Sequence, residues 1–403
     1  MSTGSLPFAA FDADNHYYEA EDAFIRHVDP RMHKRCMQWA QIDGRQRLLV
    51  GGRVNRFIPN PTFDPVARPG CLDDYFRGNI AASDMREAFG DLVPIPAEYR
   101  DRDARIEVMD RQGLEACFMF PTLGVGMESA LEGDVDATLA AFDGFNKWLD
   151  DDWGFAYRDR IISAGYITLA DVDWALDQLD WMLERDLRVV NMRPSSVLGR
   201  DGRRRSLGDP AFAPFWQKLN DAGVTLAMHS GDSGYSFLAD YWGVNAEFEA
   251  FRQNPFKTLL THSPISDALA SLIAEGVLSE HRNIRVCTIE TGSEWVQPLL
   301  KKFEKVYKQQ RHAFVEDPVE VFARQVWVSP YYEDDLHDLK AKVGAEHMLF
   351  GSDWPHAEGL SDPVAFVEDL NGFSSAEVEL IMRTNGTALA QRSDAGGVTP
   401  GSN

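Results

Sequence analysis

Cysteine is scarce, with four residues in 403 (Cys36, Cys71, Cys117, Cys287) and no C-x-x-C pair. That excludes a disulfide framework and a thiolate-rich zinc module. Cys117 and Cys287 sit in apolar, strand-like runs, where a thiol serves as a small core hydrophobe. No apolar run approaches the length that spans a bilayer, so no membrane association is expected. Positive charge is in deficit, 40 Lys+Arg against 63 Asp+Glu for a net −23. Such a surface repels nucleic acid at long range, which removes it from the expected partners. Met1 to Ala10 lacks a basic stretch followed by an apolar one, so no secretory signal is read there and a cytoplasmic location is expected. No internal repeat is present.

What the chain does have is alternation. Short β-branched or aromatic runs near 7–14, 115–121, 161–167, 187–193, 224–229, 284–290, 325–329 and 347–352 alternate with segments of helical period. The apolar positions Ile265, Ala268, Leu269, Leu272 and Ile273 follow a helical spacing, and so do stripes starting at Val172 and at Trp295. Eight strands separated by helices predict an α/β fold, a distorted (β/α)8 barrel, which this length accommodates as one domain over 1–392. Two regions break the pattern. Residues 36–100 form a long insertion after strand one, with a hairpin expected around Gly51-Gly52, and are read as a cap over the barrel mouth or an interface segment. Residues 393–403 are small, polar and Gly-rich and are read as a disordered tail.

Active sites of such barrels lie at the C-terminal strand ends. Strand one ends in Asp12-Ala13-Asp14-Asn15-His16, where side chains two apart share a face. Asp14 and His16 supply half of a metal site. Glu19 is either a further ligand or a carboxylate at a helix start. His229 closes strand five and precedes Ser230-Gly231. Asp353 ends the buried run of strand eight, where an unpaired carboxylate would be costly, and His356 follows it. Glu290 ends strand six, His262 lies before the helix at 265, and Arg193 ends strand four as a candidate for binding a substrate carboxylate. Mixed oxygen and nitrogen donors without thiolate suit one or two divalent ions, with zinc the first expectation and manganese or iron as alternatives. Asp353 is the expected acid/base.

These motifs resemble the amidohydrolase superfamily, in the branch called amidohydrolase family 2, related to aminocarboxymuconate semialdehyde decarboxylase. The resemblance rests on Asp14-x-His16 in place of His-x-His, on Met228-His229-Ser230-Gly231 and on Phe350-Gly351-Ser352-Asp353-Trp354-Pro355-His356. It implies a TIM barrel, one or two metals, and Asp353 as both ligand and catalytic acid/base. Decarboxylases of the branch carry a histidine where this chain has Glu290, which leaves Glu290 or His262 as the second proton carrier. The implied activity is a metal-dependent hydrolase or nonoxidative decarboxylase acting on a small organic acid, amide or lactone. A dinuclear iron-containing oxygenase and a non-catalytic paralogous subunit are the alternatives. A homo-oligomer, with or without a paralogous subunit, is expected.

Overall fold

The structure is a computed structural model and describes residues 6–55, 64–231, 233–235, 237–244, 254–256, 260 and 263–393. Its centre is a (β/α)8 barrel. Strand one, Ala10–Tyr17, pairs in parallel with strand two, Leu114–Pro121, which pairs with Ile161–Ser163. The third position is split. After Ala164, Gly165–Tyr166 pairs instead with strand four, Val189–Asn191, so the chain steps from one sheet to the next. Strand five (Thr225–His229), strand six (Arg285–Ile289) and strand seven (Val326–Val328) follow in parallel register.

The eighth position is an extended segment, 348–354, and not a regular strand. Leu349 N donates to Val328 O at 2.9 Å on one side, and Ala13 N donates to Phe350 O at 2.8 Å on the other. Asp353 N to Asp14 O and His16 N to Trp354 O, both 2.8 Å, complete the seam. Gly351 permits this approach, because a Cβ there would lie 2.7 Å from Asp14 Cβ.

Inside the barrel, Phe11, Ala13, Phe118, Phe120, Ala227, Cys287, Ile289 and Leu349 form an apolar core. The helix stripes read from the sequence face the strands from outside: Val172–Leu183, Pro264–Ala274 and Val296–Gln310 bury most of their apolar positions, with Val172, Leu176 and Leu183 partly buried and Val306 exposed. Among the described residues, no helix is long and apolar enough to cross a membrane.

The insertion opens with a three-stranded antiparallel meander, Met37–Ile42, Arg45–Val50 and Arg53–Val54. Its turns, Asp43-Gly44 and Gly51-Gly52, have positive φ at both positions, the conformation that suits a two-residue hairpin. The hairpin expected at Gly51-Gly52 is therefore present, preceded by one further strand. Its predicted extension to 58 runs into residues 56–63, outside the described ones. Further on, Gly70 N and Leu72 N donate to the carbonyls of His356 and Ala357, and Leu72 packs with Ala88 and Ala357. The helix Cys71–Phe76 is thereby held against the loop after strand eight, with Phe76 on the wall of the mouth.

Arg105 locks the base of the mouth. Its fully buried guanidinium donates to Glu98 O (2.8 Å), Asn15 Oδ1 (2.5 Å) and His16 O (2.8 Å), and lies 4.5 Å from the Trp354 ring centroid. Among the described residues no carboxylate pairs with it, and burial lowers its pKa to about 10. Arg105→Ala leaves these acceptors unsatisfied, so a destabilisation of about 3–5 kcal/mol is expected. A denaturant midpoint unchanged in Arg105→Ala would show that this network contributes nothing.

Candidate metal centre

All eight residues of strand one are buried. Phe11 and Ala13 point into the apolar barrel core, and the register shifts between Asp12 and Asn15. Such an irregularity re-aims the side chains that follow it. It turns Asp14 and His16 toward the mouth, above Phe120.

Asp12 does not share that face, contrary to the alternation read from the sequence. Its carboxylate accepts hydrogen bonds from Ser352 N (2.9 Å), Ser352 Oγ (2.5 Å) and Asn15 Nδ2 (2.9 Å), and so fastens strand one to the eighth segment. Burial pushes its pKa up to about 7 against these hydrogen bonds.

Asp14, His16, His229 and Glu290 each bring one donor atom into a group lying within 4.8 Å of one another. His16 Nε2 is 3.2 Å from Asp14 Oδ1 and 3.2 Å from Asp353 Oδ1. His229 Nε2 is 3.3 Å from each of Asp14 Oδ1, Glu290 Oε2 and His16 Nε2. The other ring nitrogens are committed. His16 Nδ1 donates to Pro121 O (3.1 Å) and His229 Nδ1 to Ser230 O (2.6 Å). A carbonyl can only accept, which fixes the tautomer and leaves both Nε2 lone pairs facing inward, the arrangement found at metal-bound imidazoles.

Two facing lone pairs 3.3 Å apart, beside two carboxylates, repel unless a cation or shared protons lie among them. Asp14 Oδ1 is buried between the two Nε2 atoms, 3.2 Å from His16 and 3.3 Å from His229, and so needs a proton or a cation there. The residues therefore fit a divalent ion by donor type, tautomer and unsatisfied charge.

Asp353 stands at the edge of this group. Its Oδ1 takes a 2.6 Å hydrogen bond from His356 Nδ1, and His356 Nε2 lies 3.0 Å from Thr122 Oγ1. The His356 ring lies over that of His16, with centroids 4.1 Å apart, and His16, Asp353 and His356 form a second cluster of metal-capable donors. Asp353 and Glu290 both have positive φ, 54° and 52°. Left-handed backbone in non-glycine residues is costly and gathers at functional sites.

Metal-free electrostatics separate these acids. Burial alone would raise Asp14, but hydrogen bonds and charge from His16 and His229 outweigh it and hold the carboxyl well below its ordinary range. Asp353 is likewise lowered, burial being opposed by the His356 charge and the His16 hydrogen bond. Glu290 is raised well above its ordinary value by burial and by the negative charges of Asp353 and Asp14. Burial would lower His16, yet Asp14 and Asp353 raise it well above the usual imidazole value.

The remaining expected residues lie elsewhere. Glu19 joins neither cluster. Its carboxylate accepts from the backbone N–H groups of Leu123 (2.9 and 3.0 Å) and Gly124 (2.8 Å), so it pins the loop after strand two where a ligand role was expected. His262 lies outside the described residues. Arg193 donates to Glu132 Oε1 at 2.8 Å and lines, with His229, a cavity other than the cleft described next.

That cleft, about 230 Å³, opens onto Asp14, Glu290 and Asp353 and is walled by Phe76, Tyr331 and Glu358. Tyr331 was missed in the sequence, although it follows strand seven closely; its hydroxyl donates to Glu290 O at 2.6 Å. Asking which residues follow each strand end, the rule that found Asp14 and His229, would have found it too.

Comparison with known proteins decides the family. The amidohydrolase family model (Amidohydro_2) matches residues 58–389. The chain belongs to the amidohydrolase family. An amidohydrolase from Mycobacterium avium subsp. paratuberculosis K-10 is 43% identical in its crystal structure, with a TM-score of 0.91 over 99% of this chain and 100% of that one. More distant amidohydrolase-fold structures share the barrel. A 2,6-dihydroxybenzoate decarboxylase from Rhizobium has 16% identity and a TM-score of 0.58, covering 95% of this chain and 98% of its own. A 5-carboxyvanillate decarboxylase from Novosphingobium aromaticivorans, whose structure holds manganese, has 14% identity and a TM-score of 0.57, covering 97% and 99%. No curated protein matches the sequence.

Proposed function

We propose that this amidohydrolase is a divalent-metal-dependent enzyme of acid–base type, a hydrolase or nonoxidative decarboxylase, acting on a small organic acid, amide or lactone. The observation that carries the reading is the pair of imidazoles, each with Nδ1–H tied to a carbonyl and Nε2 turned onto Asp14. Asp14, His16, His229 and Glu290 would hold the ion, with Asp353 within reach of the same centre. Zinc, manganese and iron all suit this donor set, and the manganese in the carboxyvanillate decarboxylase structure supports the second. A bound divalent ion supplies Lewis-acid polarisation of a substrate oxygen and a lowered pKa for water.

Asp353 is the base. It is held ionised and faces the cleft, and it receives its orienting hydrogen bond from His356, which Thr122 steadies in turn. The proton that it takes is held at a carboxyl beside His356, from which it can return to the leaving atom or to carbon. Tyr331 and Phe76 narrow the cleft and limit water around the reacting centre.

A second reading, a dinuclear oxygenase, is favoured by the second donor cluster of His16, Asp353 and His356. The test is metal analysis of protein purified without added metal, followed by assays for released CO2, amide or lactone cleavage, and oxygen uptake. One Zn or Mn per chain without oxygen uptake is expected. Two ions including iron, with reductant-dependent oxygen consumption, would sink the first reading in favour of the second.

A further inference from the structure

The described lining of the main cleft carries Asp14, Glu290, Glu333, Asp353 and Glu358 and no Lys or Arg. An anionic substrate group therefore meets no Lys or Arg of the described residues there. An arginine lies instead on a second, smaller cavity of about 20 Å³, lined by His229, Arg193, Tyr166, Asn191, Ser230 and Glu128 among others. His229 is common to this cavity and to the metal cluster.

Two donors there have no acceptor among the described residues. The Arg193 side chain is 9% exposed, and its Nη2 donates to Glu132 Oε1 at 2.8 Å while its Nε is 3.7 Å from Glu128 Oε2. Among the described residues its Nη1 is buried without a hydrogen-bond partner, and Tyr166 Oη has only the Asn191 side chain beside it, with no acceptor for its own proton. Both groups are held in place. Asn146 grips the Tyr166 backbone through two 2.8 Å hydrogen bonds, to its carbonyl and from its N–H. Arg193 is anchored at Glu132.

Charge points the same way as geometry. Glu132 is shared between Arg193 and Arg204, whose Nη2 is 2.7 Å from Oε2, so one carboxylate serves two guanidiniums. Glu128 is held at its far side by Thr168 Oγ1 at 2.6 Å, and burial raises it toward its neutral form. Orphaned buried donors are the exception in folded proteins and mark a place for an acceptor. The volume limits what that acceptor can be. One water needs roughly 10–15 Å³ of such space, so the cavity has room for one or two water-sized atoms, such as the oxygens of one carboxylate, and excludes a ring.

We infer that this cavity seats one carboxylate of the substrate, received by Arg193 Nη1 and Tyr166 Oη, with the rest of the molecule reaching past His229 to the metal group. A guanidinium N–H suits a carboxylate oxygen, and the phenol supplies a second donor without adding charge. The inference rests on the proposed function only for where the remaining part of the substrate lies. The seat itself belongs to the chain with or without metal.

The experiment is an NMR titration of the full-length protein, metal-free and zinc-loaded, with 13C-labelled propionate and with propionamide as its neutral match. Propionate should bind at least tenfold tighter than propionamide in both forms. Arg193→Gln and Tyr166→Phe should each weaken propionate at least tenfold while bound zinc stays at the wild-type level. Tyr166→Phe removes a single hydroxyl, so it tests the seat even where loss of Arg193 disturbs folding. Equal binding of propionate and propionamide by the wild type overturns the inference. Unchanged propionate binding in both variants overturns it as well, and leaves the cavity as a water site. A chain that takes up no zinc but still binds propionate in this way would refute the metal-dependent reading and uphold the seat.

Discussion

Asp14→Ala and His229→Ala are each expected to cost the protein its divalent ion. Asp14 Oδ1 touches both imidazoles, and His229 Nε2 touches Asp14, Glu290 and His16, so either substitution removes a central donor. Groups one step removed from a metal already cost about 10–100-fold in affinity when lost, so a direct donor should cost more than about 100-fold. Metal content after dialysis against a weak chelator measures this, and wild-type content in both variants would place the ion elsewhere. The same cluster sets a sign for pH. Without metal, Asp14 and Asp353 hold a proton on His16 well above the usual imidazole pKa. An ion must expel that proton, so affinity falls as pH drops below the raised His16 value and levels off above it. Calorimetry in two buffers of different ionisation enthalpy should show net proton release on binding.

Asp353→Asn is expected to lower turnover by about 10²–10⁴-fold, the usual contribution of a positioned acid or base. The amide keeps the shape and the contact to His356 but cannot take a proton. Asp14, His16, His229 and Glu290 remain, so bound metal should persist. The measurement is kcat together with metal content, on whichever substrate the CO2 and cleavage assays identify. Wild-type turnover in a metal-loaded Asp353→Asn would move the base to another residue.

Much of this site was legible because the barrel rule is geometric. Once eight strands are read, polar residues at their ends must converge, and Asp14, His16, His229, Glu290 and Asp353 do. What escaped depends on partners far along the chain. Glu19 looks like a ligand at four residues from Asn15, but its carboxylate is taken by backbone N–H groups more than a hundred residues away. Asp12 follows the same alternation as Asp14 and His16, and only a register shift against strand two separates them. The eighth strand reads as an ordinary buried run, yet it closes on strand one only because Gly351 lacks a Cβ, and Asp353 departs from extended backbone with positive φ. Glu290 was read as a proton carrier, and its place beside His229 supports a ligand role. Arg105 gave no signal at all, since an arginine on a helix is ordinarily a surface residue.

The seam between strand one and the segment 348–354 also bears on how the protein comes to be. Asp12 and Ser352, 340 residues apart, meet across it, and the donor set lies on both of its sides. During synthesis the first strand therefore leaves the ribosome long before its neighbour exists. Until that neighbour arrives, strand one has an unpaired edge, and its acidic and imidazole side chains remain open to any ion in the cell. On the metal-dependent reading, metal uptake by the complete donor set is thus a late event, available only to a chain that has closed its barrel, and metal content would double as a gauge of folding quality in any preparation.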